Sequence, residues 1–391
     1  MIRVNILSLV TNEHMDNLTH SLVGLALSKS GLERLSPYAT AICILGANAP
    51  DADIVTVLWG RWFSLEHHRG ITHSIVGVLV LSVAIPLLFW LGDRIFALRR
   101  KRDPKAKLNG LLLASVIATV SHPIMDWTNN YGIRPFLPFN GKWFYGDLVF
   151  IMDPWLWLVL GGACFLLTAK TKARVFIWSL IGTITTVLIF LAGALRRGIH
   201  IPLLSQVLWA ICIITIIILY RSNMVQRWGN KIALGALAFV VLYWGGLSLL
   251  HAQAVKKVQA EADAIAAAKG EKVARIAAMP TVGTPLRWQG MAETERAVYR
   301  FDSFLTNQNR ETLIRYERPI GQNAEAVKKA SEDPNVKVFL GFARFPVTKI
   351  EGDCLTEVLV QFADLRYTEP TRESNAGTFS INMPVDCDNI K

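Results

Sequence analysis

Glu66-His67-His68-Arg69-Gly70-Ile71-Thr72-His73-Ser74 runs without a break into Ile75-Val76-Gly77-Val78-Leu79-Val80-Leu81-Ser82-Val83-Ala84-Ile85-Pro86-Leu87-Leu88-Phe89-Trp90-Leu91. A helix needs about 20 apolar residues to cross the hydrocarbon core of a bilayer, and the run at 71–91 meets that length. The stretch therefore reads as a membrane helix with histidines at its mouth. Imidazoles are costly beside hydrocarbon unless they pair, bind metal or face a wet cavity, so the mouth is a functional candidate.

Further apolar runs fall at 108–125, 148–168, 175–195, 201–220 and 232–250, giving six long segments. Two shorter runs, 18–32 and 36–49, are too short to span alone and are expected to pack inside the bundle. The 52% hydrophobic content and mean hydropathy of +0.34 agree with this concentration of apolar residues. After His251 the composition changes. An Ala-, Lys- and Glu-rich stretch reads as a helical connector over 251–279, and 280–391 alternates polar and apolar residues between turn signals, as in Val336-Lys337-Val338-Phe339-Leu340 and Glu357-Val358-Leu359-Val360-Gln361-Phe362. The expected fold is an all-α polytopic membrane bundle over 15–250, of about six long and two short helices, followed by a soluble strand-rich α+β domain. Residues 1–14 form a short arm or extended start with no assigned role.

The net charge of +11 does not imply a nucleic-acid partner, because the basic residues are placed by topology. Arg94, Arg99, Arg100, Lys101, Arg102, Lys105 and Lys107 fill one connection, Lys170, Lys172 and Arg174 a second, and Arg221, Arg227 and Lys231 a third. Alternate loops carry the excess, as the positive-inside rule requires. With these loops cytoplasmic, His20, Asp51, Asp53, His73, His122, Asp126 and Asp153 all fall on the outer face, and the C-terminal domain is periplasmic. Arg196 and Arg197 run against the scheme, which places them outside.

Of eight histidines, His20, His67, His68, His73 and His122 sit at the edges of apolar runs, whereas His14, His200 and His251 do not. Gly70 can supply a turn between His68 and His73, with Thr72 capping the helix that follows. His122 and Asp126 are four apart and share a helical face, although Pro123 disfavours helix at His122. Asp51 and Asp53 follow Pro50, where a turn can present both carboxylates. A single histidine at a helix end is usually structural; this many converging on one face is the signature of a metal. Imidazole and carboxylate without thiolate suit Zn²⁺ first, then Mn²⁺ or Fe²⁺, as one or two ions. Such an ion with an open position activates water for hydrolysis. Cys43, Cys164 and Cys212 lie in apolar segments as small hydrophobes, and Cys354 and Cys387 come within bonding reach if the tail is in an oxidising compartment.

Met15-Asp16-Asn17-Leu18-Thr19-His20-Ser21, Pro50-Asp51-Ala52-Asp53, His68-Arg69-Gly70-Ile71-Thr72-His73-Ser74 and Ser121-His122-Pro123-Ile124-Met125-Asp126 follow one another in the order of known signature segments. Through them the chain resembles the bacterial inner-membrane metal-dependent hydrolases of the YdjM type over about 15–250. Asp364-Leu365-Arg366-Tyr367 resembles the extension of longer members. The resemblance implies His20, Asp51, His68, His73, His122 and Asp126 as metal-site positions, with Asp53 and Asp153 as further candidates. A remoter likeness to zinc-dependent phospholipase C enzymes implies hydrolysis.

Asp51, Asp53 and His68 are the expected catalytic groups, and Arg69 or Arg366, with Arg134 as a third, the expected phosphate holders. The expected substrate is a membrane lipid or lipid-linked ester, phosphoester before carboxylic ester. A metal-ion transporter or sensor is the rival from another class; it would stage its ligands across the membrane. A scaffold using metal only to fasten helices would show a closed four-ligand site. The charge topology makes a direct prediction: reporter fusions or cysteine accessibility will place the 99–107 loop in the cytoplasm and residue 391 outside, and the reverse result would invert the bundle.

Overall fold

Ser74 decides where the first long span begins: its hydroxyl accepts from the Gly77 N–H at 3.1 Å and caps the helix Ile75–Arg99, leaving Thr72 outside the helix. The computed structural model describes residues 17–195, 201–222, 224–306, 312–352, 357–370 and 379–386. The N-terminal arm of 1–14, His14, Arg196, Arg197, His200 and the pair Cys354 and Cys387 lie outside the described residues.

The membrane bundle comprises α1 (Asn17–Lys29), α2 (Ala39–Asn48), the short α3 (Arg61–His67), α4 (Ile75–Arg99), α5 (Leu108–Trp127), α6 (Pro154–Thr168), α7 (Lys172–Leu195), α8 (Leu203–Arg221), the short α9 (Met224–Trp228) and α10 (Lys231–Ala267). Ala39–Trp59, α4, α5, α8 and α10 are long and apolar enough to cross a membrane, and their outward faces expose Leu79, Leu88, Leu98 and Leu242 as a lipid-facing surface requires. The second short run is longer than its sequence suggests, because α2 continues as a 3₁₀ segment over Ala49–Trp59 that carries Asp51 and Asp53. Conversely, the run at 148–168 yields a helix only from Pro154, where Asp153 caps it by accepting from Trp155 N at 2.8 Å and Leu156 N at 3.1 Å.

Within the bundle α1 and α2 approach closely. A methyl group added at Gly24 would lie 2.6 Å from the Cys43 carbonyl oxygen, so glycine is required there. Ile42, Cys43 and Ala47 of α2 pack on Leu111, Ala114 and Ala118 of α5, and Leu22 and Ala26 of α1 pack on Leu160 and Cys164 of α6. The small residues let these helices approach without polar groups meeting lipid. Pro123 does not interrupt α5, which runs through it to Trp127.

The connector expected over 251–279 is not a separate element. α10 continues from the membrane to Ala267, because Ala254, Val258, Ala262 and Ala266 recur at four-residue spacing and are buried; the first three pack on Trp288, Tyr299 and Phe301 of the soluble domain. The strands begin at Val273, ahead of the boundary at 280. The domain holds two antiparallel sheets, ordered β1-β2-β3-β4 (Val273–Thr281, Thr284–Thr294, Ala297–Phe304, Leu313–Glu317) and β5-β6-β7 (Pro346–Glu351, Glu357–Asp364, Ser380–Asp386). Between the sheets in the chain lie α11 (Gln322–Ala330) and α12 (Pro334–Phe342). The alternating Val336–Leu340 segment is thus helix, not strand. Asp333 accepts from Asn335 N and Val336 N with Pro334 in the first turn, and this capping overrides the two-residue pattern.

The soluble domain packs on the end of the bundle where α4 begins and α5 ends. Arg366 donates to the Asn130 carbonyl at 2.8 Å, Arg344 to Asp147 at 2.8 Å, and Tyr131 packs on Phe342 at 4.8 Å between ring centroids. Arg366 is buried beside Asp364 at 2.7 Å. Burial alone would lower its pKa, but the Asp364 carboxylate holds it well above its usual value. Replacing Asp364 with alanine strands that cation and is expected to cost the domain about 3–5 kcal/mol; a thermal melt should show this, whereas D364A with unchanged melting would mean that the Asn130 and Phe342 carbonyls suffice.

Candidate metal centre

Four elements bring five side chains to one point. α1 contributes His20, the 3₁₀ segment after α2 contributes Asp51, the turn before α4 contributes His73, and the last turn of α5 contributes His122 and Asp126. All five side chains are buried. His73 Nε2 stands 3.3 Å from Asp51 Oδ1 and 3.2 Å from Asp126 Oδ2; His122 Nε2 stands 3.3 Å and 3.4 Å from the same two oxygens. The two Nε2 atoms are 3.1 Å apart. Ligand atoms of Asp51, His73, His122 and Asp126 all lie within 4.8 Å of one another.

Proton placement shows what this cluster lacks. His122 Nδ1 lies 2.7 Å from the Ala47 carbonyl oxygen, an acceptor only, so Nδ1 carries the proton and a neutral ring turns its Nε2 lone pair inward. His73 Nδ1 lies 3.3 Å from Asp53 Oδ2, with the same result. With both rings neutral, as metal binding requires, two lone pairs face each other beside Asp51 Oδ1 and Asp126 Oδ2, both buried and without a hydrogen bond. Orphaned buried acceptors of this kind are expensive, and a cation among them removes the cost. The size fits as well. Four ligands about 2.0–2.1 Å from one ion in a tetrahedron stand about 3.3–3.4 Å apart, and the five separations above run from 3.1 to 3.4 Å. The residues therefore fit a divalent metal ion.

Around the four lies a layer that orients them. Asp53 does not reach the cluster. It pairs with His73 Nδ1 through Oδ2 and with His68 Nδ1 through Oδ1 at 3.2 Å, and it accepts from the Arg69 N–H at 2.9 Å and the Thr72 hydroxyl at 3.3 Å. A carboxylate behind a ligating imidazole sets its tautomer and orientation. His68 stands outside the four, its ring centroid 6.2 Å from that of His73. His20 stacks on His122 at 3.8 Å and contacts Asp126 Oδ1 at 3.3 Å through Nε2, leaving Nδ1 without a hydrogen bond. A cavity of about 20 Å³ lined by Thr19, His20, Arg69 and Asp126 adjoins it, room for one water.

Arg69 and Arg366, expected to hold substrate, are engaged inside the protein. Arg69 is buried and donates to Asp126 Oδ1 at 3.1 Å, to the Asp126 and Gly132 carbonyls and to Asn129 Oδ1, which leaves Asp126 Oδ2 to the cluster. Its residue, not Gly70, takes the positive φ of 49°. Gly70 is needed for space, since a Cβ there would fall 2.3 Å from the His67 carbonyl oxygen. Arg134 stacks on Trp143 and donates to the Glu66 and His68 carbonyls. Asp153 caps α6 and accepts from the Tyr243 hydroxyl at 3.0 Å, away from the cluster. His67 bonds the Phe63 carbonyl and stacks on that ring. His251 packs on Trp288.

Sequence reasoning missed the Ala47 carbonyl, Asn129 and Tyr131. A backbone acceptor leaves no mark in a sequence. Asn129-Asn130-Tyr131 does stand directly after Asp126, where polar residues following an apolar helix could have been read as its support. Tyr131 sits between the Arg69 guanidinium, at 4.6 Å, and the His68 ring, at 5.5 Å, and burial pushes its hydroxyl pKa well above the usual value.

Residues 15–196 match the YdjM inner membrane protein family, so the resemblance read from the signature segments holds over them. The chain is also 34% identical over 154 residues to a Bacillus subtilis (strain 168) protein described as uncharacterized protein YfhP. That match spans 37% of this chain and 43% of the relative's length. No solved structure matches the chain.

The Asp53 contacts make a quantitative expectation. Loss of a carboxylate behind a ligating histidine weakens metal binding about 10- to 100-fold. D53N, titrated with Zn²⁺ against a competing chelator, should show that loss, and unchanged affinity would remove Asp53 from the site.

Proposed function

We propose that the YdjM-type membrane domain of this chain holds one divalent ion, zinc before manganese or iron, on Asp51, His73, His122 and Asp126, and hydrolyses an ester bond, phosphoester before carboxylic ester, in a lipid or lipid-linked substrate at the outer face of a bacterial inner membrane. The observation that carries the metal is the convergence of four buried ligand atoms, five of their separations 3.1–3.4 Å and all within 4.8 Å. A divalent ion held there supplies Lewis acidity toward water and an ester oxygen.

The chain's own groups then divide the work. Asp53 and the Ala47 carbonyl lock the two imidazoles, and Arg69 fixes Asp126. The cavity beside His20 holds one water, to which the unpaired Nδ1 offers an acceptor. His68 is the group open to solvent, with its side chain 16% exposed against 7% or less for the others, and it is hydrogen-bonded to Asp53. We assign substrate approach to that side and proton movement to the His68–Asp53 pair.

Two other readings have definite counterparts in the geometry. Ligands gathered at one end of the bundle speak against a transport path, which stages them across it. The burial of all four favours an ion that only fastens helices. Metal analysis of detergent-purified protein with a panel of phospholipids, isoprenoid phosphates and carboxylic esters separates hydrolysis from fastening. H73A and H122A should lose bound metal and activity. H68A should keep the metal while hydrolysis falls by about 10²-fold or more. Stoichiometric metal with no hydrolysis of any member of the panel would leave the fastening role.

A further inference from the structure

Beside the cluster, the bundle forms a second and much larger space, half open to its surroundings. A cavity of about 610 Å³ lies among α1, α6, α7 and α8, with Leu18, Leu22, Trp157, Phe165, Trp178 and Trp209 in its wall. That volume is within the range of ligand sites, about 300–1,000 Å³. Several polar atoms of the wall are already used. Thr185 and Thr186 turn their hydroxyls back to the Ile181 and Gly182 carbonyls, and the indoles of Trp178 and Trp209 bond Thr168 and Thr186. Ser179 and Thr183 add two hydroxyls to a wall that is otherwise mostly hydrocarbon and offers water few partners.

The cavity and the cluster share a partition. Trp157 lines the large cavity, and its indole N–H donates at 2.8 Å to the hydroxyl of Thr19, which lines the small cavity beside His20. Leu18 of the same helix faces the large cavity, whereas His20, two residues on, faces the cluster. From Trp157 the space runs down α6 to Phe165, about 12 Å at about 1.5 Å per residue. A molecule with its apolar part in this cavity has its other end at the level of the histidines.

We propose that this cavity is the binding site for the hydrocarbon tail of an amphiphile, a single alkyl or prenyl chain, whose polar end is presented at the metal cluster. The proposal deepens the hydrolase reading and rests on it for the identity of the polar end. A bilayer surrounds these helices with hydrocarbon chains, and Val187, Ile214 and Ile217 of the wall are exposed toward them, so a half-open apolar space here is matched to a hydrocarbon chain. Chain length becomes the determinant of affinity, since each buried methylene tightens binding by up to about fourfold.

Two glycines in the wall provide the test. A Cβ at Gly161 meets only Leu22 Cδ1, at 3.9 Å, and one at Gly182 meets nothing within 4 Å, so larger side chains there enter the cavity without a backbone clash. Binding of n-alkylphosphonic acids from octyl to hexadecyl, which contain neither a carboxylic ester nor a phosphoester, is measured by native mass spectrometry on wild type, G161F and G182L, with bound metal measured alongside. Affinity should rise with chain length in the wild type, and the rise should flatten by tenfold or more at the long end in both variants while metal content stays constant. A photoreactive alkyl tail should label α1, α6, α7 or α8 in the wild type. Equal chain-length dependence in all three proteins, or labelling elsewhere, overturns the proposal. Loss of hydrolysis with the dependence intact would count against the enzyme and leave the tail site standing.

Discussion

Two carboxylates and two imidazoles buried together at the ends of apolar helices are the constraint on which the rest of the membrane domain turns. Each group would cost several kcal/mol if left buried without a partner. The bundle concentrates them, so that Asp51, Asp126, His73 and His122 share one small volume, and surrounds them with supports that have no other evident use. Asp53 faces His73, the Ala47 carbonyl faces His122 and the Arg69 guanidinium faces Asp126. Even the turn that carries His68 and His73 is built for this arrangement, with Arg69 in a left-handed conformation so that its N–H reaches Asp53 while its side chain reaches Asp126.

The soluble domain is tied to the same point from above. α10 runs unbroken out of the membrane and lays its alanine stripe on the first sheet, so the domain cannot swing on a loose linker. Its second attachment, through Arg366 and Asn130, falls on the loop that follows Asp126. Asn129 of that loop accepts from Arg69, and Tyr131 lies over Arg69 and against Phe342. A domain that looks like a separate unit in the sequence therefore packs against the loop that supports the candidate centre. The large apolar cavity, by contrast, is lined by the membrane bundle and is linked to the centre through Thr19 and Trp157.

Much of this was written in the sequence. The six long apolar runs and two short ones became helices near their expected positions, because length and hydropathy alone determine what can lie in a bilayer. The His/Asp edges of those runs identified the side chains that meet at the centre, since ionisable groups at such edges need a partner. Capping chemistry was present in the sequence but outweighed in the reading: Asp333-Pro334 makes a helix of a segment read as strand, and Asp153-Pro154 starts a helix later than the apolar run.

The tertiary structure alone decided how those side chains divide. His68 and His73 are equally histidine in the sequence, yet one turn of backbone sends His73 into the cluster and His68 outward to Asp53. Asp51 and Asp53, two residues apart on a 3₁₀ segment, face a metal-sized gap and the back of an imidazole respectively. Arg69 and Arg366 read as free cations for an anionic substrate, and only packing showed that Asp126, Asp364 and loop carbonyls already occupy them. The physical reason is the same in each case. Residue type and local period determine what a segment can do, whereas pairing among buried charges depends on distances between helix ends that are far apart in the chain.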